Sequence, residues 1–425
     1  MIIEIRAKNC FAFDEQISFS MKADMRNRKF ASNVHKENNF NILKTAGIYG
    51  PNNAGKTCLI KCIKAIRQIL LNKKPGLMTN IFTDSSICEL GVTFLAFGKK
   101  FSYDFKYDAA KKEFVYENFS EILKDQYGNE KEVSWLVKDS IQERYFCADI
   151  DAIQMMPLMA KNNLLCYLID TSKFEHLEEM KKIIIAFAEK IDIINMNNIP
   201  MEHTIKLMKN RDQLQQKIVD FIKNADLYMD NYEYVDMDQI KLRAEDEGEK
   251  PDEKVLELPE TIMDQIRLVS TYKGVHVPSM LFDSTGTKKI AALAGYVIEG
   301  LEQGRILVID ELDSSIHFKL TRAIVAMFNN ELNVNAQMIF TVHDINLMDC
   351  KKMFRKEQNW FVHKDKDGVY VYSLADFTAQ QGVRDTTDIM EKYRKGALGA
   401  LPDPDLINSL LSIKGNEKGG VTDGK

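Results

Sequence analysis

The sequence lacks the features that mark a membrane, secreted or metal-cluster protein. No apolar run approaches the roughly 20 residues that a membrane-spanning helix needs. The first residues, MIIEIRAKNCFAF, carry charges at Glu4, Arg6 and Lys8 and have no cleavage-site pattern, so they predict a strand and not a signal peptide. The seven cysteines form no C-x-x-C pair and no metal-type cluster with the seven histidines. These absences predict a cytoplasmic protein with reduced thiols and no membrane contact.

The charge balance is mildly acidic and offers no global attraction for nucleic acid. The formal net charge is -5, although a local basic patch would still allow nucleic acid to bind. The most charged run, RAEDEGEKPDEK at 243–254, contains no large apolar residue and predicts a surface loop, with an interaction segment as the alternative. A chain of 425 residues is long enough for two or three lobes.

Apolar periodicity predicts three kinds of structure along the chain. Residues 2–20 alternate like a hairpin, 41–50 form a short apolar strand before a helix, and 89–119 read as an antiparallel meander. From about residue 150 the pattern becomes helical and predicts a packed lobe. Its apolar stripe consists of Leu177, Met180, Ile184, Phe187, Ile191 and Ile194. Strands and helices then alternate from about residue 265 to a last hairpin at 359–374, which predicts a parallel sheet.

A phosphate-binding loop follows the first apolar strand. GPNNAGKT fits G-x-x-x-x-G-K-T and lies between a strand and a helix, the context that this motif requires. Backbone N–H groups of such a loop and the helix N-terminus attract phosphate. Lys56 would reach the β- and γ-phosphates, and the Thr57 hydroxyl would bind Mg²⁺. The predicted nucleotide-binding residues are Gly50, Pro51, Asn52, Asn53, Ala54, Gly55, Lys56, Thr57 and Cys58.

Two carboxylates end a later apolar strand, RILVIDELD. We predict that Asp310 holds Mg²⁺ and that Glu311 acts as the general base for an attacking water. A GTPase is disfavoured, because DELD is not a D-x-x-G switch and NKKP is not an N-K-x-D base reader. The next apolar strand ends in TVHD, so His343 is placed to sense a γ-phosphate. A structural histidine is the alternative.

A second group of phosphate-binding side chains lies in FDSTGTKK, far from the phosphate loop. Ser284 offers a hydroxyl, Gly286 allows close backbone approach, and a helix begins here. An N-capping loop is the alternative explanation.

Together, GPNNAGKT, DSTGTKK, ILVIDELD and TVHD resemble the Walker A, signature, Walker B with D-loop, and H-loop motifs of ABC-type ATPases. The sequence is similar to the RecF, SMC and OLD-like branch, and within it to RloA/AbiL-like phage-defence ATPases. The similarity covers both ends of the chain and little of the helical middle.

The resemblance implies a composite site made by two subunits. Ser284, Gly286 and Thr287 would face the ATP of the partner subunit, and Asp313 of the D-loop would lie at the same seam. It therefore implies ATP and Mg²⁺ as cofactors and a homodimer or higher even oligomer. Two departures matter. The usual Leu-Ser-Gly-Gly-Gln signature is Asp-Ser-Thr-Gly-Thr here, and no glutamine occurs between residues 69 and 125 for the Q-loop, so hydrolysis is expected to be slow.

The expected fold is an α/β P-loop ABC-type ATPase head with an antiparallel β subdomain and an inserted helical lobe. Its expected divisions are an N-terminal ATPase half at 1–150, a helical insertion with the acidic loop at 151–260, and a C-terminal ATPase half at 261–425. The last of these would end in an appendage, a packing element or a docking element from about Asn359.

The expected function is ATP-driven dimerisation that controls a separately encoded effector, a toxin or nuclease, in anti-phage defence. Nothing in the chain resembles a nuclease site. The first alternative is a DNA-repair ATPase of the RecF or SMC kind. A transporter subunit and a non-hydrolysing scaffold are further alternatives, the first disfavoured by the signature and the second supported only by the missing Q-loop glutamine.

Overall fold

The computed structural model describes residues 1–125, 129–210, 213–225, 228–235, 259–384 and 387–401, and the single positions 406, 407, 409 and 413. The predicted acidic loop at 243–254 lies outside the described residues, as do 402–405 near the C-terminus. Among the described helices, none is both long and apolar enough to cross a bilayer.

The described strands form one large antiparallel sheet of seven strands, one mostly parallel sheet of six strands, and two smaller antiparallel sheets of three and two strands. Helices cover the two large sheets. The strands are β1 (Ile2–Lys8), β2 (Ile17–Ser20), β3 (Val34–Glu37), β4 (Phe40–Leu43), β5 (Thr45–Tyr49), β6 (Ile87–Ala96), β7 (Lys99–Asp108), β8 (Glu113–Lys124), β9 (Glu130–Asp139), β10 (Arg144–Cys147), β11 (Ile191–Asn195), β12 (Asn231–Tyr234), β13 (Leu268–Tyr272), β14 (Val275–Pro278), β15 (Ile306–Asp310), β16 (Gln337–Thr341), β17 (Asn359–Lys364) and β18 (Val369–Ser373). The helices are α1 (Lys56–Leu70), α2 (Leu165–Leu168), α3 (Glu175–Glu189), α4 (Glu202–Lys209), α5 (Gln213–Asn224), α6 (Glu260–Ile266), α7 (Ser279–Phe282), α8 (Thr285–Gln303), α9 (Phe318–Asn329) and α10 (Ile389–Arg394).

The antiparallel sheet has the order β10-β9-β8-β7-β6-β1-β2. It contains the hairpin and the meander that the period-two alternation predicts. On β7, Phe101, Tyr103 and Phe105 are buried on one face, as the alternation requires. Phe94 of β6 stacks on Phe187 of α3 with ring centroids 4.0 Å apart. The aromatic face of this sheet therefore packs against the helical lobe.

The central sheet has the order β11-β15-β16-β5-β17-β18. Every neighbouring pair is parallel except β17 and β18, which are antiparallel. Its residues alternate between two apolar clusters: Ile306 and Val308 of β15 belong to one with α1, and Leu307 and Ile309 to another with α8 and α9. Because the sheet is covered on both faces, its central strands are fully buried.

The helical stripe predicted up to Ile194 is wrong at its C-terminal end. Helix α3 ends at Glu189, and Ile191 and Ile194 lie in β11, which pairs in parallel with β15. The three isoleucines of the run Ile-Asp-Ile-Ile are β-branched and suit a strand, and the edge of β15 offers this run hydrogen-bond partners. A strand from the middle of the chain thus joins the central sheet, which periodicity alone did not predict.

The predicted C-terminal appendage is also wrong for its first strand. β17 lies beside β5 in the central sheet, and Trp360 and Phe361 are buried there. The strand with which this segment begins is therefore part of the core and not an appendage. The α/β head with an antiparallel β subdomain and an inserted helical lobe is otherwise confirmed, since α3, α4 and α5 come from the predicted insertion and α4 and α5 pack on α8.

One buried side chain joins the two sheets. Gln337, at the start of β16, is fully buried. Its Oε1 accepts a hydrogen bond from Ile2 N at 2.8 Å, and its Nε2 donates to Ile2 O at 2.9 Å and Leu43 O at 3.1 Å. The first strand of the antiparallel sheet is thereby fixed to the central sheet through backbone groups that have no access to water.

We predict that Gln337→Met lowers the free energy of unfolding by about 2–4 kcal/mol, because each buried backbone group left without a partner costs about 1–3 kcal/mol. Urea unfolding of the purified protein measures this change. The matched control is Gln303→Met, since Gln303 is exposed at the end of α8. Equal urea midpoints for Gln337→Met and the control would contradict the assignment.

Candidate functional site

The phosphate loop runs from the end of β5 into α1, as the motif predicts. Gly50 has φ 149°, and a Cβ at this position would collide with the carbonyl oxygen of Val362 on β17. Asn53 has φ 62°, a left-handed conformation that asparagine tolerates better than most residues. Only glycine fits at position 50, because β17 passes directly behind the loop there. The neighbouring strand therefore explains the first glycine of the motif.

The remaining loop residues precede α1 and differ in their exposure. Asn52 and Asn53 are exposed, Pro51 is half-buried and Ala54 is buried. The N–H of Cys58 donates to the carbonyl oxygen of Gly55, as expected in a first helical turn.

Lys56 folds back over this loop. Its Nζ donates to Gly50 O at 2.7 Å and to Pro51 O at 3.0 Å. Burial lowers the pKa of the Lys56 ammonium group, and the charges of Asp310 and Glu311 oppose that shift. The ammonium group thus lies above the loop, next to the acidic end of β15, where phosphate oxygens would replace the two carbonyls.

The Asp310 carboxylate accepts hydrogen bonds from side chains of three elements. Thr57 Oγ1 of α1 donates to Asp310 Oδ2 at 3.1 Å, and Thr341 Oγ1 of β16 donates to Oδ1 at 2.7 Å. Asn195 Nδ2, from the end of β11, donates to Oδ2 at 3.3 Å. Asp310 is buried, so this carboxylate is stabilised by hydrogen bonds from its three neighbours. The predicted pair of Thr57 and Asp310 is therefore brought together.

Glu311 adopts a backbone conformation that is uncommon for its residue type. Its φ is 57°, and its N–H donates to Thr341 Oγ1 at 2.7 Å. Asn197 Nδ2 donates to Glu311 Oε2 at 2.6 Å. A left-handed non-glycine residue costs about 1 kcal/mol or more and is common at functional sites. Thr341 Oγ1 thus links the backbone N–H of Glu311 to the Asp310 carboxylate, while the Glu311 carboxylate is held by Asn197.

The Asp313 side chain forms hydrogen bonds with the backbone at His343 in the same chain. Asp313 Oδ2 accepts hydrogen bonds from His343 N at 2.9 Å and Asp344 N at 2.8 Å. The His343 side chain is exposed at the end of β16. The Asp313 carboxylate thus fixes the backbone of the loop that carries His343, and the His343 imidazole has no hydrogen bond to another described residue.

The predicted signature residues form the start of α8. Ser284 is the N-cap: its Oγ accepts from Thr287 N at 3.1 Å and lies 2.9 Å from Thr287 Oγ1. A Cβ on Gly286 would lie 2.8 Å from Ser315 O, so this glycine allows α8 to approach the D-loop of its own chain. Among the described residues, no hydrogen bond joins Ser284, Gly286 or Thr287 to the phosphate loop. The capping role is thus present, and the second phosphate site is not formed with this chain's own loop.

The aspartate that replaces the usual leucine has a structural explanation. Asp283 is buried and accepts hydrogen bonds from three hydroxyl groups: Ser270 at 2.6 Å, Ser279 at 2.5 Å and Tyr272 at 2.7 Å. The Ser270 and Tyr272 hydroxyls anchor the loop before α8 to β13, and the Ser279 hydroxyl anchors it to α7. The buried charge at this position is therefore compensated by polar partners elsewhere in this chain.

The two lysines of the signature segment point to protein atoms. Lys288 Nζ donates to Met280 O at 2.6 Å, and Lys289 Nζ donates to Ser314 Oγ at 3.0 Å. His317 caps α9, because its side chain accepts a hydrogen bond from Lys319 N.

Three residues of the site were missed from the sequence: Asn195, Asn197 and Thr341. Asn195 is the last residue of β11 and Asn197 lies two residues after it, in a segment that periodicity predicts as helix. Since β11 is parallel to β15 with Asn195 opposite Asp310, a strand prediction for Ile-Asp-Ile-Ile-Asn would have placed this amide at the acidic end. Thr341 directly precedes Val342 and His343 and gives no signal apart from its position.

The residues fit a magnesium nucleotide. The Thr57 hydroxyl and the Asp310 carboxylate share a short contact beside the loop, and oxygen ligands are those that Mg²⁺ prefers. Among the described residues there is no cluster of three or more His, Cys, Asp or Glu that would form a complete protein metal cage. Such a site needs phosphate and water oxygens to complete the ligand set, as is usual for Mg²⁺.

Comparisons with known proteins agree with this type of site. Residues 190–349 match the family model described as "AAA domain, putative AbiEii toxin, Type IV TA system". The matched segment, less than half of the chain, begins next to β11 and includes Asp310, Glu311 and His343 but not the phosphate loop. No curated protein matches the sequence.

Solved structures of SMC heads are similar over most of the chain. The SMC head domain from Thermotoga maritima is 10% identical, with 88% of this chain and 98% of that chain covered and a TM-score of 0.43. An SMC head bound to the C-terminal winged-helix domain of ScpA is 11% identical, with 90% and 99% covered and a TM-score of 0.49. An SMC head with an extended coiled coil, bound to the C-terminal domain of ScpA derived from Pyrococcus furiosus, is 12% identical, with 92% and 99% covered and a TM-score of 0.42. The chain itself has an α/β fold with a central, mostly parallel sheet, and its residues 190–349 are similar to this AAA domain.

Proposed function

We propose that the protein binds ATP with Mg²⁺ and hydrolyses it. The observation that carries this proposal is the Asp310 carboxylate, which contacts the Thr57 hydroxyl at the start of α1 and lies one residue before Glu311. This one area would supply ligands for the phosphate groups and for a cation, and a base for an attacking water.

Each side chain has a distinct task in the proposal. Lys56 would leave the loop carbonyls and bind phosphate oxygens, and Thr57 and Asp310 would hold the cation. Bound Mg²⁺ supplies positive charge that offsets the charge of the phosphates. Glu311 would accept a proton from the attacking water. His343, exposed and fixed through the backbone contact with Asp313, would bind the terminal phosphate.

We further propose that Asn195 takes the place of the missing Q-loop glutamine. Its amide reaches Asp310 from the neighbouring strand, with an Nδ2–Oδ2 distance of 3.3 Å. A side-chain amide can orient a water molecule or contact a cation through its oxygen. The absence of glutamine between residues 69 and 125 is therefore no argument for a non-hydrolysing scaffold.

Glu311→Gln should keep ATP binding and lower turnover by about 10²–10⁴-fold, the usual contribution of a general base. Steady-state phosphate release and ATP titration measure the two quantities. The matched control is Glu143→Gln, because Glu143 is an exposed glutamate with a similar φ of 54°. Wild-type turnover in Glu311→Gln would show that Glu311 is not the base.

We propose that two subunits join through the signature side of the molecule. Met280, Leu281 and Phe282, directly before the signature, are exposed by 41%, 73% and 65%. Adjacent exposed apolar side chains are typical of surfaces that become covered. In a head-to-tail pair, Ser284 and Gly286 of one subunit would face the ATP of the other, and a higher even oligomer would repeat this contact. Light scattering of Glu311→Gln with ATP is the direct test of the pair.

We propose that this ATP-driven pairing controls a separately encoded effector, a toxin or nuclease, in defence against phage. The description of the matching family names a toxin–antitoxin system, which supports the context without naming the effector. The seven free cysteines fit the reducing cytoplasm as the place of action. A DNA-repair role would be favoured by an extended basic surface. On the outer face of the antiparallel sheet, Arg6 and Lys106 are paired with Asp104 and Glu89, so that face gives this alternative no specific support.

The effector proposal predicts that the chain alone does not protect cells or cut DNA. A nucleotide-driven switch biases a partner only through contacts that differ between its two states. Phage challenge of cells that express the chain alone, the chain with its neighbouring gene, or Lys56→Ala with that gene measures this. We expect protection only with the wild-type pair. Full protection or DNA cleavage by the chain alone would contradict the regulator role.

A further inference from the structure

A continuous set of hydrogen bonds connects the signature helix to the proposed general base within one subunit. Its central member is Asn197, two residues after the end of β11. Asn197 Nδ2 donates to Glu311 Oε2 at 2.6 Å, and Asn197 Oδ1 accepts from Ser314 Oγ at 2.7 Å. The amide nitrogen of Asn197 therefore contacts the proposed base, and its amide oxygen contacts Ser314, next to Asp313.

The next member belongs to α8. Lys289 Nζ donates to Ser314 Oγ at 3.0 Å and lies 3.3 Å from Ser315 Oγ. Lys289 is five residues after Ser284, the N-cap of the helix. The order of contacts is therefore the first turns of α8, then Ser314, then Asn197, then the Glu311 carboxylate.

Tight packing makes this connection sensitive to the position of α8. A Cβ on Gly286 would lie only 2.8 Å from Ser315 O, so the helix start and the D-loop backbone are in close contact. Glu311 and Ser315 both have positive φ values, 57° and 64°, and they bracket the turn. A movement of α8 would have to move Ser314 and Ser315 as well, because close-packed elements do not deform continuously.

We propose that Asn197 is a positioning residue that couples the signature helix to the general base. It holds the Glu311 carboxylate in one orientation and changes that orientation when a ligand or partner displaces α8. The proposal rests on the proposed role of Glu311 in ATP hydrolysis. It adds a path within one subunit by which events at the signature reach the subunit's own base, in addition to any contact across a subunit interface.

The location of Asn197 allows this role to be separated from a structural one. Its side chain is exposed, so the loss of its hydrogen bonds affects global stability little. A hydrogen bond to a charged carboxylate is the stronger kind, and its loss should lower turnover by about 10- to 100-fold. ATP affinity should stay unchanged, because in the described structure Asn197 contacts neither the phosphate loop nor Asp310.

The experiment compares Asn197→Ala with Asn198→Ala. Asn198 is the neighbouring exposed asparagine, and in the described structure its side chain makes no hydrogen bond. We expect Asn197→Ala to lose turnover by about 10- to 100-fold at unchanged ATP affinity and melting temperature, and Asn198→Ala to behave as wild type. Asn197→Ala within twofold of wild type, or an equal loss in Asn198→Ala, would overturn the proposal.

A double-mutant cycle tests the coupling itself. Ser314→Ala and Lys289→Met should each lower turnover in the wild-type background and have little further effect in Asn197→Ala, because the path is already broken. Fully additive losses would overturn the coupling. Glu311→Gln in the same assay separates the two levels: if it hydrolyses ATP like wild type, the proposed base is wrong, whereas an impaired Glu311→Gln beside an active Asn197→Ala refutes only the positioning role.

Discussion

The buried carboxylate of Asp310 is the contact on which the arrangement of the site depends. It accepts hydrogen bonds from the start of α1, from β16 and from β11, and these elements come from the N-terminal part, the C-terminal part and the middle of the chain. A buried carboxylate without such donors would be costly. The acidic end of β15 therefore holds the phosphate loop, the end of β16 and the end of β11 close to one another.

The fold supplies this convergence through strand order. β16 lies between β15 and β5, so Thr341 reaches both acidic residues while the phosphate loop lies on its other side. β17 lies behind the phosphate loop and restricts position 50 to glycine. Gln337 at the opposite end of β16 fixes the antiparallel sheet to the same strand. β16 thus contacts the antiparallel sheet through Gln337 at one end and the candidate site through Thr341 at the other.

Local patterns were sufficient for the parts that depend on neighbours in sequence. The phosphate loop, the alternating strands of the antiparallel sheet and the capped start of α8 could be predicted from the sequence. Their turn geometry and their alternation of buried and exposed residues depend only on a few neighbouring residues. The β11 strand could not be predicted in the same way. Ile191 and Ile194 continue a helical spacing, and only pairing with β15, more than a hundred residues later, makes them a strand.

The same limit explains the missed asparagines and the misplaced C-terminal strand. Asn195 and Asn197 acquire their partners through that long-range pairing, so their spacing from Asp310 carries no local signal. β17 was predicted as a hairpin strand, but its position beside β5 depends on which sheet edge is open. The departure at Asp283 likewise became clear only when Ser270, Tyr272 and Ser279 were found around it.

The most direct test of the account is the dependence of ATP binding on Mg²⁺, measured by calorimetry in wild type and Asp310→Asn. The substitution keeps the shape and removes the charge that would hold the cation. We expect wild type to bind ATP more tightly with Mg²⁺ than with a chelator, and Asp310→Asn to lose this difference while a control, Asp84→Asn at an exposed position, keeps it. Equal affinity with and without Mg²⁺ in wild type, or an unchanged Mg²⁺ effect in Asp310→Asn, would contradict the central claim.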